Sequence, residues 1–174
     1  MPSRDDTLEN PYTGEKLTFI VTTEETGGEW LQVRHYAPHP TVMGVAHFHP
    51  ILTETFTVEQ GRLRFKIDGR AHILNTGDSV TIQPGQVHEF ENISDGELIL
   101  LQDVRPAGNH QAMFEMIYTL AREGRMSANG APKGLFTSAL LWEKMDGYIA
   151  GIPPFLQHLL MGNLARLARL LGRS

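Results

Sequence analysis

Residues 44–69 read GVAHFHPILTETFTVEQGRLRFKIDG. In the second half Leu63, Phe65 and Ile67 alternate with Arg62, Arg64 and Lys66. A period of two, apolar on one side and cationic on the other, is that of a half-buried strand. The strand ends at Asp68-Gly69, a dipeptide suited to a tight hairpin. The first half carries chemistry as well as pattern. His47 and His49 stand two apart, so a strand projects both imidazoles to the same side. Glu54 shares parity with Phe56 and Val58, and further on His88 shares it with Phe90, so all four polar groups can enter one apolar interior. Imidazole and carboxylate together suit Fe, Mn, Ni, Zn, Cu or Co, and four protein ligands leave a position open for catalysis or ligand binding.

The same alternation extends outward. It covers 16–22, 29–37, 54–59, 71–74, 79–83, 87–92 and 97–104, with turn signals at Gly27-Gly28, Gly61, 75–78, Pro84-Gly85 and 94–96. About eight short strands so spaced predict an all-β sandwich or barrel. After Pro106 the period becomes helical. Met113, Met116, Ile117, Leu120 and Ala121 mark a helix ending at Gly124, a second covers 134–145, and a third runs from Pro153-Pro154 to Gly172. That last helix sets Leu156, Leu160, Leu164, Leu167 and Leu171 on one face, with Arg166, Arg169 and Arg173 elsewhere. The expected organisation is a β-barrel domain over 1–106 and a helical extension over 107–174.

The chain has 174 residues, 41% of them hydrophobic and 20% charged, which suits one globular domain with an appendage. With no cysteine, thiolate metal sites, disulfides and a cysteine nucleophile are excluded. A net charge of −5 argues against nucleic acid as partner. The charge is uneven: residues 1–106 hold 8 basic and 16 acidic side chains, residues 107–174 hold 7 and 4. The polar, acidic start lacks the pattern of a secretory leader, no stretch is apolar enough to span a bilayer, and a cytoplasmic protein without a membrane partner is expected.

Two ordered motifs resemble those of the cupin superfamily. The first contributes Gly44, His47, His49, Glu54 and Gly61; the second contributes Gly77, Gly85, His88 and Asn92 in GDSVTIQPGQVHEFEN. Gly44 stands closer to His47 than is usual in the family, and Gln83 occupies the usual proline position. The resemblance covers about residues 40–104 and implies a mainly β fold, the double-stranded β-helix or jelly-roll barrel, here with a C-terminal α-helical extension. It also implies one divalent transition-metal ion held by His47, His49, Glu54 and His88, with Glu54 doubling as the catalytic base.

Gly61, Gly77 and Gly85 read as turn glycines, and Asn92 reads either as bonded to a neighbouring loop or, the favoured reading, simply as a strand end. His35, His39, His72, His110 and His158 have no partner at ligand spacing, so none is expected in the metal site. Phe56, Val58, Phe65, Ile67, Val80, Ile82 and Phe90 are expected to line the barrel, which favours an aromatic or hydrophobic small molecule over a phosphosugar. The functional expectation is therefore a metal-dependent oxidoreductase similar to the quercetinase-like cupin dioxygenases. A non-catalytic small-molecule binding or sensor module is the alternative, and a cupin isomerase or epimerase ranks third. The final helix is expected to pack on the barrel or on a second subunit of a homodimer, with a membrane-surface helix as the competing reading.

Overall fold

A computed structural model describes residues 2–38, 41–42, 44–127 and 130–172. His39 and Arg173 lie outside the described residues. The strands are β1 (Thr7–Glu9), β2 (Lys16–Val21), β3 (Leu31–Ala37), β4 (Thr41–Val42), β5 (His47–Phe48), β6 (Thr53–Gln60), β7 (Arg62–Ile67), β8 (Arg70–Asn75), β9 (Ser79–Ile82), β10 (His88–Asn92), β11 (Leu98–Arg105) and β12 (Tyr148–Ile149). The helices are α1 (His110–Arg122), α2 (Leu135–Lys144), α3 (Pro154–Gln157) and α4 (Asn163–Leu170), the last two joined by a π turn at His158–Gly162.

Among the described residues the strands form two sheets with antiparallel neighbours. One has the order β1-β2-β3-β11-β6-β9; the other has the order β12-β5-β10-β7-β8, with β4 also paired to β10. The sheets face each other without closing into one hydrogen-bonded ring, so the expected barrel is an open jelly-roll sandwich. Gly61 turns the chain from β6 into β7, and therefore from one sheet to the other, at φ 93°. A Cβ there would sit 2.5 Å from Ser94 Oγ and 3.0 Å from the Glu97 carbonyl oxygen, so only glycine fits.

Asn92 does more than end a strand. Its buried amide donates to the carbonyls of Ala37 (3.1 Å) and Gly96 (3.3 Å) and accepts from the Ser94 N–H (2.8 Å), tying β10 to the end of β3 and to the turn before β11. The favoured reading of a bare strand end is corrected in favour of the bond to a neighbouring loop: a buried amide must find partners, and these are the adjoining turn at Ser94 and Gly96 together with the distant Ala37 carbonyl.

The inner face of the first sheet serves two apolar clusters. Ala37, Phe56, Val58, Ile82, Leu98 and Leu100 meet Leu63, Phe65 and Leu74 of the second sheet, with Ile67, Val80 and Phe90 packed alongside. The expected lining residues thus all belong to the sandwich core. Leu17, Phe19, Leu31, Val33 and Val104 are covered instead by Phe114 and Tyr118 of α1. These two aromatics anchor α1; Met113 and Ile117 are only partly buried, because the stripe that meets the sheet runs 110, 114, 118, 121.

The C-terminal helix packs on α2, with part of its leucine stripe left exposed within the protomer. Leu160, Leu167 and Leu171 are 54%, 45% and 59% exposed, while Ala165 and Ala168 are buried against Ala139 and Leu140 of α2. A π turn inserts one residue into the helical repeat and so rotates the following stripe, and alanine lets two helices approach closely. Arg166 and Arg169 are exposed as expected, Arg169 pairing with Glu143.

Candidate metal centre

His47 on β5 lies directly opposite His88 on β10, and their rings are 4.3 Å apart between centroids. His49 follows β5 at the same parity, and Glu54 enters from β6 in the facing sheet. His49, Glu54 and His88 are almost fully buried. The four expected residues therefore meet at one point: one donor atom from each lies within 4.8 Å of all the others.

Hydrogen bonds to carbonyl oxygens, which can only accept, fix the tautomers of the imidazoles. The Nδ1–H of His47 donates to Val45 (2.7 Å), that of His49 to Asp146 (3.1 Å) and that of His88 to Gln86 (3.1 Å). Each Nε2 then carries a bare lone pair aimed inward. The Nε2 atoms of His49 and His88 lie 3.3 and 3.1 Å from Glu54 Oε2, yet none of these three buried atoms has a hydrogen-bond partner. Lone pairs facing a carboxylate at such range repel unless a cation stands between them. Donors about 2.1 Å from one ion and at right angles to each other would be about 3 Å apart, which matches both contacts. The cluster could hold a metal ion.

The other carboxylate oxygen is already engaged. Glu54 Oε1 accepts from Gln102 Nε2 (2.7 Å), and Gln102 Oε1 accepts from His35 Nε2 (2.7 Å). Glu54, Gln102 and His35 form a buried polar row across β6, β11 and β3, between the two apolar clusters. Burial by itself would push the Glu54 carboxyl up, but contact with His88 and the nearby His49 and His110 rings outweigh it and hold the group well below the usual carboxylate range. Burial, reinforced by His88 and His49, pushes His47 down to about 4. Burial also lowers His35, His49 and His110. Burial thus favours the neutral form of His47 and His49, the form in which imidazole binds metal.

His110, which the sequence left without a role, stands beside the cluster. It is buried in the first turn of α1, with Nε2 3.7 Å from Glu54 Oε1 and its ring 5.0 Å from that of His49. A signal was available: 110, 114, 118 and 121 share one helical face, the face carrying Phe114 and Tyr118. His72 and His158 lie outside the cluster. The helical region supplies two further parts, the Asp146 carbonyl on His49 and the strand β12, which pairs Ile149 with His47 and Tyr148 with Phe48.

Two facing antiparallel sheets around a buried set of three imidazoles and one carboxylate define a jelly-roll fold with a candidate metal centre. Residues 32–104 match the family model described as the cupin domain, and this part of the chain has the cupin fold. KdgF from Halomonas sp. is similar in structure, with TM-score 0.51 and 15% identity over 61% of this chain and 94% of that one. A protein from Thermotoga maritima titled a "predicted oxalate decarboxylase" is similar with TM-score 0.52 and 19% identity, over 61% and 99%. At such identity the likeness concerns the fold. No match was found among curated proteins.

Proposed function

We propose that this chain is a metal-dependent oxidoreductase of the dioxygenase kind, acting on an aromatic or hydrophobic small molecule. The observation that carries the reading is the set of inward lone pairs on His49, His88 and Glu54 with no partner but a cation to satisfy them. His47, His49, Glu54 and His88 would hold one divalent ion; the donor set suits Fe, Mn, Ni, Zn, Cu or Co. Such an ion supplies Lewis-acid polarisation of a bound hydroxyl and a template for orienting substrate. Molecular oxygen is the co-reactant, and both of its atoms end in the oxidised product.

The residues around the centre divide the work. Phe65, Phe90 and Ile67 supply apolar walls near His88 and exclude water. Gln102 holds Glu54 Oε1, which aims Oε2 into the centre. Oε2 is the atom placed to take a proton from a substrate hydroxyl. The test is elemental analysis of protein purified without added metal, followed by oxygen uptake over a panel of hydroxylated aromatics. A redox-active metal with substrate-dependent uptake upholds the reading; a metal-free protein overturns it.

One observation favours a second reading, a non-catalytic binding or sensor module. Glu54 is buried and its Oε1 is already held by Gln102 Nε2 at 2.7 Å, a geometry that suits a fixed ligand better than a group that shuttles protons. Tight binding of an aromatic ligand without turnover would select this module.

A homodimer and a cytoplasmic location belong to the same proposal, as does the division into a β domain over 1–106 and an extension over 107–174. Leu159, Leu160, Leu167, Leu170 and Leu171 leave the end of the chain with an exposed apolar face that a second copy would cover. Among the described residues no helix is long and apolar enough to cross a membrane.

A further inference from the structure

We infer that the segment 146–149 of the helical extension is a working part of the metal centre, with Asp146 and Gly147 as positioning residues for His49. Metal affinity and the order of the extension are thereby coupled. The inference rests on the metal-binding reading above.

The three imidazoles are not oriented in the same way. His47 and His88 donate their Nδ1–H to carbonyls only two residues away, whereas His49 donates to Asp146, across 97 residues of sequence. The orientation of this one candidate ligand therefore depends on where the extension lies.

The segment is tied to the site from several sides. Tyr148 and Ile149 pair with Phe48 and His47, on the edge of β5 opposite the one that pairs with His88, and the Ala150 N–H donates to the Ala46 carbonyl (2.9 Å). The Asp146 carboxylate accepts from the backbone and the side-chain amide of Asn109, the latter at 2.7 Å, and so places the start of α1 with His110 beside Glu54. Behind the segment, Gln157 accepts from the Ile149 N–H (3.0 Å) and donates to the Ile149 carbonyl (2.9 Å).

Gly147 records how close this approach is. A Cβ there would stand 2.7 Å from His49 Nδ1 and 2.7 Å from the Phe48 carbonyl oxygen. Any side chain would drive the segment away from His49 or rotate the imidazole. Coupling between two sites is reciprocal, so an ion that fixes His49 must also steady the segment that holds it.

The experiment uses the full chain and Co²⁺ alone, whose visible bands report coordination. Gly147→Ala should lower Co²⁺ affinity at least tenfold and shift the bands. Gly162→Ala, in the same extension but with nothing within 4 Å of the added Cβ, should stay within twofold of the parent. In the unaltered protein, Co²⁺ should slow amide exchange over 146–150 at least fivefold, a readout that does not depend on how the variant folds. A folded Gly147→Ala that binds Co²⁺ like the parent, or exchange over 146–150 that ignores Co²⁺, overturns the inference. A parent that takes up no Co²⁺ overturns the metal reading and this inference with it, which separates the two failures.

Discussion

His88 Nε2 and Glu54 Oε2 face each other at 3.1 Å from opposite sheets, both buried and neither hydrogen-bonded. The fold brings two electron-rich atoms together and leaves the compensating charge to be supplied.

His88→Ala should therefore lose bound metal at neutral pH by at least tenfold in affinity, with activity falling alongside. Glu54→Gln should keep part of the metal and lose most turnover, since an amide oxygen ligates weakly and cannot accept a proton. Inductively coupled plasma analysis and oxygen uptake on the same preparations separate these. Unchanged turnover in Glu54→Gln would assign that carboxylate a structural role.

Gln102→Leu should be costly although Gln102 is not among the four. It removes the donor to Glu54 Oε1 and the acceptor for His35 together, leaving buried polar atoms unpaired. A loss of about 2–3 kcal/mol is expected in urea unfolding, with metal affinity reduced about 10–100-fold. A stability equal to the parent's would show that the row adjusts without it.

The metal-free protein should be more stable at pH 7 than at pH 5. His35, His47, His49 and His110 are all held below the usual histidine value when folded, His47 at about 4. Between about 4 and 6.5 the unfolded chain binds more protons than the folded one, so stability rises with pH through this window and is lost as pH falls. For His47 alone the full span amounts to roughly 3 kcal/mol. Urea midpoints at several pH values, each after chelation, provide the measurement; a flat profile would mean that the rings protonate freely when folded.

Leu167→Glu combined with Leu170→Glu should convert a dimer to a monomer in sedimentation with little change in melting temperature, because both side chains are already 45% and 84% exposed within the protomer. A parent that sediments as a monomer at micromolar concentration would remove the homodimer.

Alternation along β6, β7 and β10 already specified which side chains face inward, because a strand offers only two sides. The four candidate ligands were legible for the same reason: His47 and His49 share a side by their two-residue spacing, and Glu54 and His88 carry the parity of their apolar neighbours. Periodicity also located the helices, since 3.6-residue spacing is as local as strand alternation. Contacts between segments far apart in sequence were not legible. The pairing of β12 with β5, the Asp146 carbonyl on His49 and the place of His110 beside Glu54 depend on how 107–172 returns across the sheets, and no local pattern encodes that return. Asn92 and the leucines of the last helix make the same point in opposite directions. A polar side chain favoured as a strand end is buried because the distant Ala37 carbonyl and the adjoining turn satisfy it, and part of an apolar stripe stays exposed within the protomer because a π turn rotates it and alanines fit closer to α2. Local propensity and period determined the elements and the inward residues; tertiary packing decided which inward atoms meet, because burial and hydrogen-bond satisfaction are properties of the assembled chain.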